Sequence, residues 1–388
     1  MAKAVEAERA GQNTGLSVLI WQHFLNDGLA NYLPGILPAL AVDRHVPLPL
    51  IGVLMTALIL GQSLQPLTGW WADRLGGRKF ILGGLLLTTL GTVLVGLSHS
   101  LVMMGLWLLM TGIGNTLFHP QALTAARTLG LGREGFFMST FLVGGELGRG
   151  LGPLAAGFLV ASFGMRGIMW LAVPYVLTLP WMIKATPQMV PRKRSRTPLR
   201  WRQHLRPATA LVVFSTARSV ATYGVITLAP IMWHEHGGSL VGSASLVTVM
   251  VGLGVAGNLA GGMASDRIGR GRVLRLTTMG AVLFLGIFGV TNGIWEWPVL
   301  ALLGMALFGS GPTTMLIGQD IFSENPALGS GIALGLANGL GALLVIPIAA
   351  IAGQWGDRDI MWLLALLLLT TLPTVAMMPS SATTRDGN

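Results

Sequence analysis

Long apolar segments alternate with short polar ones along almost the whole chain. Each apolar segment is close to the roughly 20 residues that an α-helix needs to cross about 30 Å of hydrocarbon. Twelve such segments are present, six before a polar stretch near the middle of the chain and six after it. We predict membrane spans at 16–40, 47–70, 80–98, 101–126, 136–162, 166–185, 207–233, 239–262, 274–292, 297–321, 328–352 and 359–378.

A spanning segment must satisfy its backbone hydrogen bonds internally, and runs of this length do so as α-helices. We therefore predict an all-α polytopic membrane protein with twelve transmembrane helices in two six-helix bundles. The first dozen residues lack the apolar core and cleavage site of a signal peptide, so we expect a tail there. The predicted parts are an N-terminal tail at 1–15, a bundle at 16–185, a basic linker at 186–206, a bundle at 207–378 and a C-terminal tail at 379–388.

A charged turn recurs at half-chain spacing. It reads Gly-Trp-Trp-Ala-Asp-Arg-Leu-Gly-Gly-Arg-Lys at 69–79 and Gly-Met-Ala-Ser-Asp-Arg-Ile-Gly-Arg-Gly-Arg at 262–272. Asp73 and Asp266 hold the same place in the two copies, in a chain of 388 residues. A period of half the chain predicts that the two halves are copies of one structural unit.

Each turn lies between two apolar segments, where a carboxylate can meet helix N-termini and guanidinium groups. A solvated loop that only sets topology is the alternative for either copy alone. The duplication favours contacts between helix ends that lock the outward-facing state. The residues that we assign to gating are Gly69, Asp73, Arg74, Gly76, Arg78, Lys79, Asp266, Arg267 and, in the fifth span, Pro153.

Both turns resemble the signature loop between the second and third helices of each half of the major facilitator superfamily, a class of secondary transporters. The second copy departs at Gly271, where a cation is expected. The resemblance implies two bundles with nested inverted repeats and alternating access around a midplane site.

Composition excludes several other classes of protein. The chain is 52% hydrophobic and 10% charged, whereas soluble domains carry about 25% charged residues. It has no cysteine, which excludes disulfides, zinc-thiolate sites and cysteine nucleophiles. Phosphate-binding loops and the H-E-x-x-H and G-x-S-x-G motifs are absent, so we predict no enzyme activity and no cofactor. His234 and His236, in a predicted external loop, are a weak metal candidate, and we assign no metal site.

The 25 Lys and Arg indicate the orientation. With both termini in the cytoplasm, Arg44, Arg166 and Arg358 lie outside, Arg149 and Arg218 lie within spans, and the remaining 20 face the cytoplasm. Lys and Arg concentrate on the cytoplasmic side of membrane proteins, so both termini are predicted there. The net charge of +10 is then a topology signal, and no nucleic-acid partner is implied.

The linker at 186–206 is the most basic part of the chain, with seven Lys and Arg. Anionic lipid is a candidate contact for such a surface segment. The alternative is a flexible basic linker that only sets topology.

Charged side chains inside spans cost about 2.5–3.5 kcal/mol each at the bilayer centre, so each needs a partner or a wet cavity. His23 and Asp27 are four residues apart and share a face of the first helix, next to Asn26. A desolvated carboxylate beside an imidazole predicts a proton-coupling site. The alternative is a polar cluster that only fixes helix contacts.

Three other charges lie near the predicted midplane. Glu146 and Arg149 are three residues apart and can neutralise each other within the fifth helix. Alternatively, Glu146 takes up a proton and releases Arg149 to bind an anion. Arg218 has no charged neighbour in its own span, so its counter-ion is Asp27 or a substrate anion.

A closer resemblance rests on His-Phe-Leu-Asn-Asp-Gly at 23–28, Phe-His-Pro-Gln-Ala at 118–122, Gly-Gly-Glu-Leu-Gly at 144–148, Ala-Arg-Ser at 217–219 and Gln-Asp at 319–320. These stretches resemble the fosmidomycin resistance protein family. The resemblance implies an inner-membrane, proton-driven efflux carrier for a small phosphonate-like anion. Glu146, where a neutral residue is expected, and Asp320, where Glu is common, depart from the family.

We therefore predict a monomeric proton-coupled antiporter of the bacterial inner membrane that exports a small organic anion, with protons and membrane lipids as its other partners. A proton symporter that imports an organic anion is the alternative, and a non-transporting membrane receptor is the alternative from another class. The predicted proton-coupling residues are Asp27, His23 and Glu146. The predicted substrate-binding residues are Arg149, Arg218, His119, Asn26, Asn115 and Tyr223.

Overall fold

A computed structural model gives the fold, and it describes residues 2–64, 67–68, 77–129, 134–188, 201–323 and 326–379. These residues form helices and connecting turns and contain no strand. The α-helices are α1 Ala2–Ala30, α2 Leu48–Gln62, α3 Gly77–Gly96, α4 Leu101–Leu129, α5 Glu134–Phe163, α6 Val173–Ala185, α7 Trp201–Glu235, α8 Leu240–Ile268, α9 Arg270–Val290, α10 Glu296–Gly309, α11 Gly311–Ile321, α12 Pro326–Ser330, α13 Ala337–Trp355 and α14 Asp357–Thr370. Short 3-10 helices at Leu33–Gly35, Met165–Ala172, Gly293–Trp295 and Leu372–Met377 and π-helices at Ala39–Asp43 and Gly331–Leu336 join or extend them.

Nine helical segments within the described ranges are long and apolar enough to cross a membrane. They coincide with the third, fourth and sixth to twelfth predicted spans. The other three predicted spans fall on α1, on the shorter apolar α2 and on α5. The all-α membrane fold is therefore confirmed, whereas the count of twelve transmembrane helices stays a prediction.

Two boundaries differ from the sequence prediction. Helix α1 begins at Ala2, so the predicted tail at 1–15 is the first half of a continuous helix. The tenth span is divided at Ser310 into α10 and α11. Pro312 lies in the first turn of α11, where its missing N–H costs no helical hydrogen bond.

The chain divides into two compact units, Met1–Ile36 with Ala57–Arg194 and Leu37–Thr56 with Ser195–Asn388. Our predicted first bundle includes 37–56, but this segment packs within the second unit. There the Thr56 hydroxyl donates to the Ala342 carbonyl at 2.6 Å. This division separates 37–56 from the remainder of the predicted first bundle.

Glycines bring α1 and α5 into backbone contact in the first unit. A Cβ at Gly144 would lie 2.6 Å from the Ile20 carbonyl oxygen, and one at Gly148 would overlap the Phe24 carbonyl. Small residues at helix contacts allow such close approach in membranes. The side chains that follow these glycines on α5 are thereby held beside α1.

Helices α3 and α4 are packed in the same way. A Cβ at Gly84 would lie 2.7 Å from the Phe118 backbone nitrogen. Further along α4, Pro120 leaves the Thr116 carbonyl without its helical N–H partner. The buried Thr68 hydroxyl donates to that carbonyl at 2.8 Å, which satisfies the acceptor that the proline has freed.

The second unit has its own glycine contacts. A Cβ at Gly304 of α10 would overlap the Met250 carbonyl of α8. A Cβ at Gly341 of α13 would lie 2.5 Å from the Ser219 Cβ of α7. The Ser219 hydroxyl also donates to the Asn338 amide oxygen at 2.7 Å, so a neutral polar contact joins α7 and α13.

Candidate functional site

A buried ionic cluster in the first unit is centred on Asp27 of α1, whose side chain is 1% exposed. Arg149 Nη2 of α5 lies 3.0 Å from Asp27 Oδ2. His119 Nε2 of α4 lies 3.2 Å from Oδ1, and His23 Nε2 of α1 lies 3.5 Å from Oδ2. Three helices thus supply a guanidinium and two imidazoles to one carboxylate, which we call the Asp27 cluster.

Two buried amides complete the contacts of this carboxylate. Asn115 Nδ2 donates to Asp27 Oδ1 at 3.2 Å, and Asn26 Nδ2 donates to the same oxygen at 3.4 Å. The Asn26 amide oxygen accepts from the Thr88 hydroxyl of α3 at 3.0 Å. The charge is therefore surrounded by donors, as a charge buried away from water requires.

The imidazoles are held by backbone carbonyls. His23 Nδ1 lies 2.8 Å from the Phe141 carbonyl oxygen, and His119 Nδ1 lies 2.9 Å from the Asn115 carbonyl oxygen. The two Nε2 atoms lie 3.3 Å apart. The Phe141 ring stacks on the His23 ring with centroids 4.1 Å apart, so one face of this imidazole is shielded by an aromatic ring.

Gly145 makes room for the His23 ring. A Cβ at this position would overlap three ring atoms of His23, Nε2 among them. The glycine pair at 144–145 therefore serves both the helix contact and the placement of the imidazole. This role of Gly145 was not predicted from the sequence, although its place directly before Glu146 was visible there.

Arg149 joins the buried and accessible parts of the cluster. Its Nη1 lies 3.2 Å from Glu146 Oε1, so the pair predicted within α5 is present. The same guanidinium also holds Asp27, which the sequence did not predict. Arg149 and Glu146 are 31% and 22% exposed, compared with 1% for Asp27, and so form the accessible edge of the cluster.

Arg218 of α7 is a buried cation in the second unit, 9% exposed. Within the described part of the chain it has no ion pair, and its Nε has no hydrogen-bond partner. Ser215 Oγ, one turn earlier on the same helix face, is also buried without a partner there. Our pairing of Arg218 with Asp27 stays a prediction, because the two residues belong to different units and Asp27 has Arg149 in its own unit.

Two further predicted site residues are Tyr223, which interacts electrostatically with Arg218, and Pro153. Tyr223 is half-buried in α7, and its carbonyl accepts from the Thr227 hydroxyl at 2.6 Å. Pro153 of α5 packs against Gly35. Neither position tests the roles that we predicted for these residues.

Of the predicted gating residues, Gly69, Asp73, Arg74 and Gly76 lie outside the described residues. At the start of α3, Arg78 donates to the Ile183 carbonyl, and Lys79 is exposed. Asp266 and Arg267 are exposed at the end of α8. Their gating role therefore stays a prediction.

An ion pair between Arg270 and Asp320 joins α9 to α11 in the second unit. We did not predict this pair, although Arg270 is one of the cations in the second copy of the charged turn. The sequence does show that Arg270 differs from its counterpart in the first copy, which is Gly77. An additional cation at this position was the feature that could have indicated the pair.

The donor atoms of His23, Asp27 and His119 all lie within 4.8 Å of one another and are of types that also bind divalent metals. Arg149 already lies against this carboxylate and would repel a metal cation. We therefore assign no metal ion to the cluster.

The apolar helices of spanning length among the described residues indicate a multi-pass membrane protein. The family profile of the Major Facilitator Superfamily matches residues 19–343, and the chain belongs to that family. Its members are transporters and not enzymes, as we predicted.

The chain is similar to the fosmidomycin resistance protein of Escherichia coli (strain K12), with 25% identity over 93% of this chain and 91% of that protein. It is also similar to the uncharacterized MFS-type transporter YfnC of Bacillus subtilis (strain 168), with 23% identity over 94% of this chain and 92% of that one. Among solved structures, a point mutant of the nucleoside transporter NupG has a TM-score of 0.78 at 13% identity, covering 93% of this chain and 99% of that chain. A bacterial homolog of the human lysosomal transporter Spinster, in an inward-facing and occupied conformation, has a TM-score of 0.73 at 16% identity, covering 93% and 95%.

Proposed function

We propose that this protein is a proton-coupled antiporter that works by alternating access and exports a small organic anion across the bacterial inner membrane, with both termini in the cytoplasm. The observation that carries the proposal is the Asp27 cluster, where a buried carboxylate contacts two imidazoles and a guanidinium. Ionisable groups inside a membrane protein are costly to bury and typically mark ion pathways.

Arg218 supports an anionic substrate. Arg218 is buried and has no ion pair within the described ranges, so it gains a counter-ion and charge-assisted hydrogen bonds when an anion binds. Ser215, one turn away, offers a further donor. The name of the Escherichia coli relative makes fosmidomycin, a phosphonate anion, the first substrate to test.

The geometry changes the roles that we propose for three polar residues. His119, Asn115 and Asn26 were predicted to bind substrate, but their side chains all contact Asp27. We propose that His119 handles the proton and that the two amides position the carboxylate. Arg149, at the accessible edge, remains the proposed substrate contact of this unit.

Gating is proposed for the repeated turns that contain Asp73 and Asp266, through contacts between helix ends. Pro153 is proposed as a point of flexibility in α5, because it removes the N–H that would otherwise bond to the Arg149 carbonyl. A weakened helical turn at this position would let Arg149 move when the transporter changes state. Lipid contact at the linker 186–206 and a monomeric state complete the proposal.

A second candidate, proton symport that imports an organic anion, is favoured by the charges of the Asp27 cluster. Asp27, Glu146 and Arg149 together carry one net negative charge, which an added proton neutralises. An anion binds Arg149 more readily in the neutral cluster, so proton and anion would bind in the same half-cycle.

The sign of proton movement distinguishes these candidates. Purified protein in proteoliposomes is given a fosmidomycin gradient, and a trapped pH dye reports proton flux with protein-free liposomes as the control. Antiport predicts protons moving against the direction of fosmidomycin, and symport predicts protons moving with it. Fosmidomycin flux without proton movement would contradict both, and binding without flux would favour a receptor.

A further inference from the structure

We infer that the proton-binding site of the Asp27 cluster is the pair of Nε2 atoms of His23 and His119, which share one proton while Asp27 stays ionised. This inference rests on the proposed function, since it names the groups that carry the coupled proton. It is carried by the orientation of the two rings and by the donors around the carboxylate.

The Nδ1 atom of each imidazole faces a backbone carbonyl. His23 Nδ1 and His119 Nδ1 each lie within hydrogen-bond distance of a backbone carbonyl oxygen, at 2.8 and 2.9 Å. A carbonyl can only accept, so each Nδ1 must carry a hydrogen. In a neutral imidazole the other nitrogen then has a free lone pair. Both Nε2 atoms are therefore acceptors unless a ring takes up a further proton.

The two Nε2 acceptors face each other and the carboxylate of Asp27. The two Nε2 atoms lie 3.3 Å apart, and they lie 3.2 and 3.5 Å from the oxygens of Asp27. Without an added proton, each Nε2 is an acceptor that faces only other acceptors among these three side chains. The side chains of Asp27 and His23 are 1% and 4% exposed, and that of His119 is 18% exposed. Unpaired polar atoms are costly in such surroundings. One proton on either Nε2 provides the donor that the arrangement lacks.

The donors around Asp27 favour a proton on a ring and not on the carboxylate. Arg149, Asn115 and Asn26 all donate to Asp27, two of them to Oδ1 and one to Oδ2. Donors of this kind stabilise the ionised carboxylate. Asn26 presents its Nδ2 to the carboxylate while its amide oxygen accepts from the Thr88 hydroxyl, which is the orientation that suits an ionised Asp27.

The charge balance agrees with a single proton. Among the described residues, the charged or titratable groups that face the imidazole pair from α1 and α5 are Asp27, Arg149 and, through Arg149, Glu146. Helix α3 faces the cluster with the neutral Thr88 hydroxyl, through Asn26. With one imidazolium the cluster is neutral, and the Phe141 ring that stacks on His23 offers it a favourable aromatic face.

Nitrogen-15 NMR of histidine-labelled protein in lipid bilayers tests this without any transport. At about pH 8, exposed imidazoles are neutral. We expect about one imidazolium equivalent per molecule, with both nitrogens protonated, out of seven histidines. The signal should disappear in His119→Asn and in His23→Asn and persist in the matched control His236→Asn, whose ring lies in the second unit.

Infrared spectroscopy of the unmodified protein at the same pH detects a protonated carboxyl group directly. This measurement does not depend on whether a variant folds. A protonated-carboxyl band that Asp27→Asn removes, together with neutral His23 and His119 rings, would place the proton on the carboxylate and refute the inference. If the liposome assay shows no proton movement but the imidazolium signal is present, the proposed coupling is wrong. The assignment of the proton-binding site is then still supported.

Discussion

The two units differ in whether the protein supplies partners for a buried charge. In the first unit, Asp27 has a guanidinium, two imidazoles and two amides within reach, so its charge is compensated by the protein itself. In the second unit, Arg218 is almost as buried and has no ion pair within the described residues. A compensated charge can remain in the empty transporter at low cost, whereas an uncompensated one favours binding of an anion.

The two copies of the repeat carry different residues at equivalent positions. At the half-chain offset, Gly148 corresponds to Gly341, and both glycines lie at a tight contact between two helices of their unit. The next residue is Arg149 in the first unit and Ala342 in the second, and the counterpart of Asp27 is Val220. The same helix contact is thus retained while the ionic cluster occurs in one copy. The repeated backbone therefore does not by itself determine which charged side chains a unit contains.

We expect the greatest loss of transport from a substitution at Asp27, whose charge is compensated within the first unit. Asp27→Asn should lower fosmidomycin flux driven by a pH gradient by about 100-fold, because the imidazole pair loses the anion that holds its proton. Flux into proteoliposomes measures this, with the exposed Asp359→Asn as the matched control. Wild-type flux in Asp27→Asn would show that the cluster is only structural.

We expect a weaker effect, on substrate binding, from a substitution at Arg218 in the second unit. Arg218→Met should weaken fosmidomycin binding about 10- to 100-fold, since a charge-assisted hydrogen bond contributes about 1.5–3 kcal/mol. Titration calorimetry on detergent-purified protein gives the affinity, and Arg275→Met, which removes an exposed cation of α9, is the control. Equal affinities in the two variants would remove Arg218 from the site.

The stability of the empty protein should change in opposite directions in the two units. Arg149→Met should lower the free energy of unfolding by about 1–3 kcal/mol, because Asp27 and Glu146 lose their cation. Arg218→Met should raise it by a similar amount, since it removes a buried charge that has no ion pair among the residues that the structure describes. Unfolding of ligand-free protein measures both, and a loss of stability in Arg218→Met would reveal an anionic partner for Arg218.

We expect a smaller loss of transport from displacement of the His23 imidazole. Gly145→Ala should displace the His23 imidazole and lower coupled flux by about 10-fold, because proton transfer depends on its placement. Gly83→Ala is the matched control, since a Cβ at Gly83 has no atom within 4 Å. If both variants transport alike, the position of His23 does not limit the cycle.

The sequence alone determined the class of fold and the short list of important charges. Apolar runs of about 20 residues are sufficient to predict spanning helices, because the bilayer sets their length. A charge in such a run is visible as an exception, which is how Asp27, Glu146, Arg149 and Arg218 were found. The resemblance of a few motifs also identified the family, which the comparisons confirm.

Only the tertiary structure decided which of these groups meet. His23 and His119 are 96 residues apart in the chain, yet their ring nitrogens lie 3.3 Å apart. Arg149 could be paired with Glu146 from spacing within one helix, but its contact with Asp27 depends on the close approach of α1 and α5 at Gly144 and Gly148. Spacing within a helix follows from its 3.6-residue period, whereas contacts between helices depend on which faces pack and how closely. For this reason the sequence could name the charged residues, and the fold had to show that one unit compensates its buried charge while Arg218 in the other has no ion pair within the described residues.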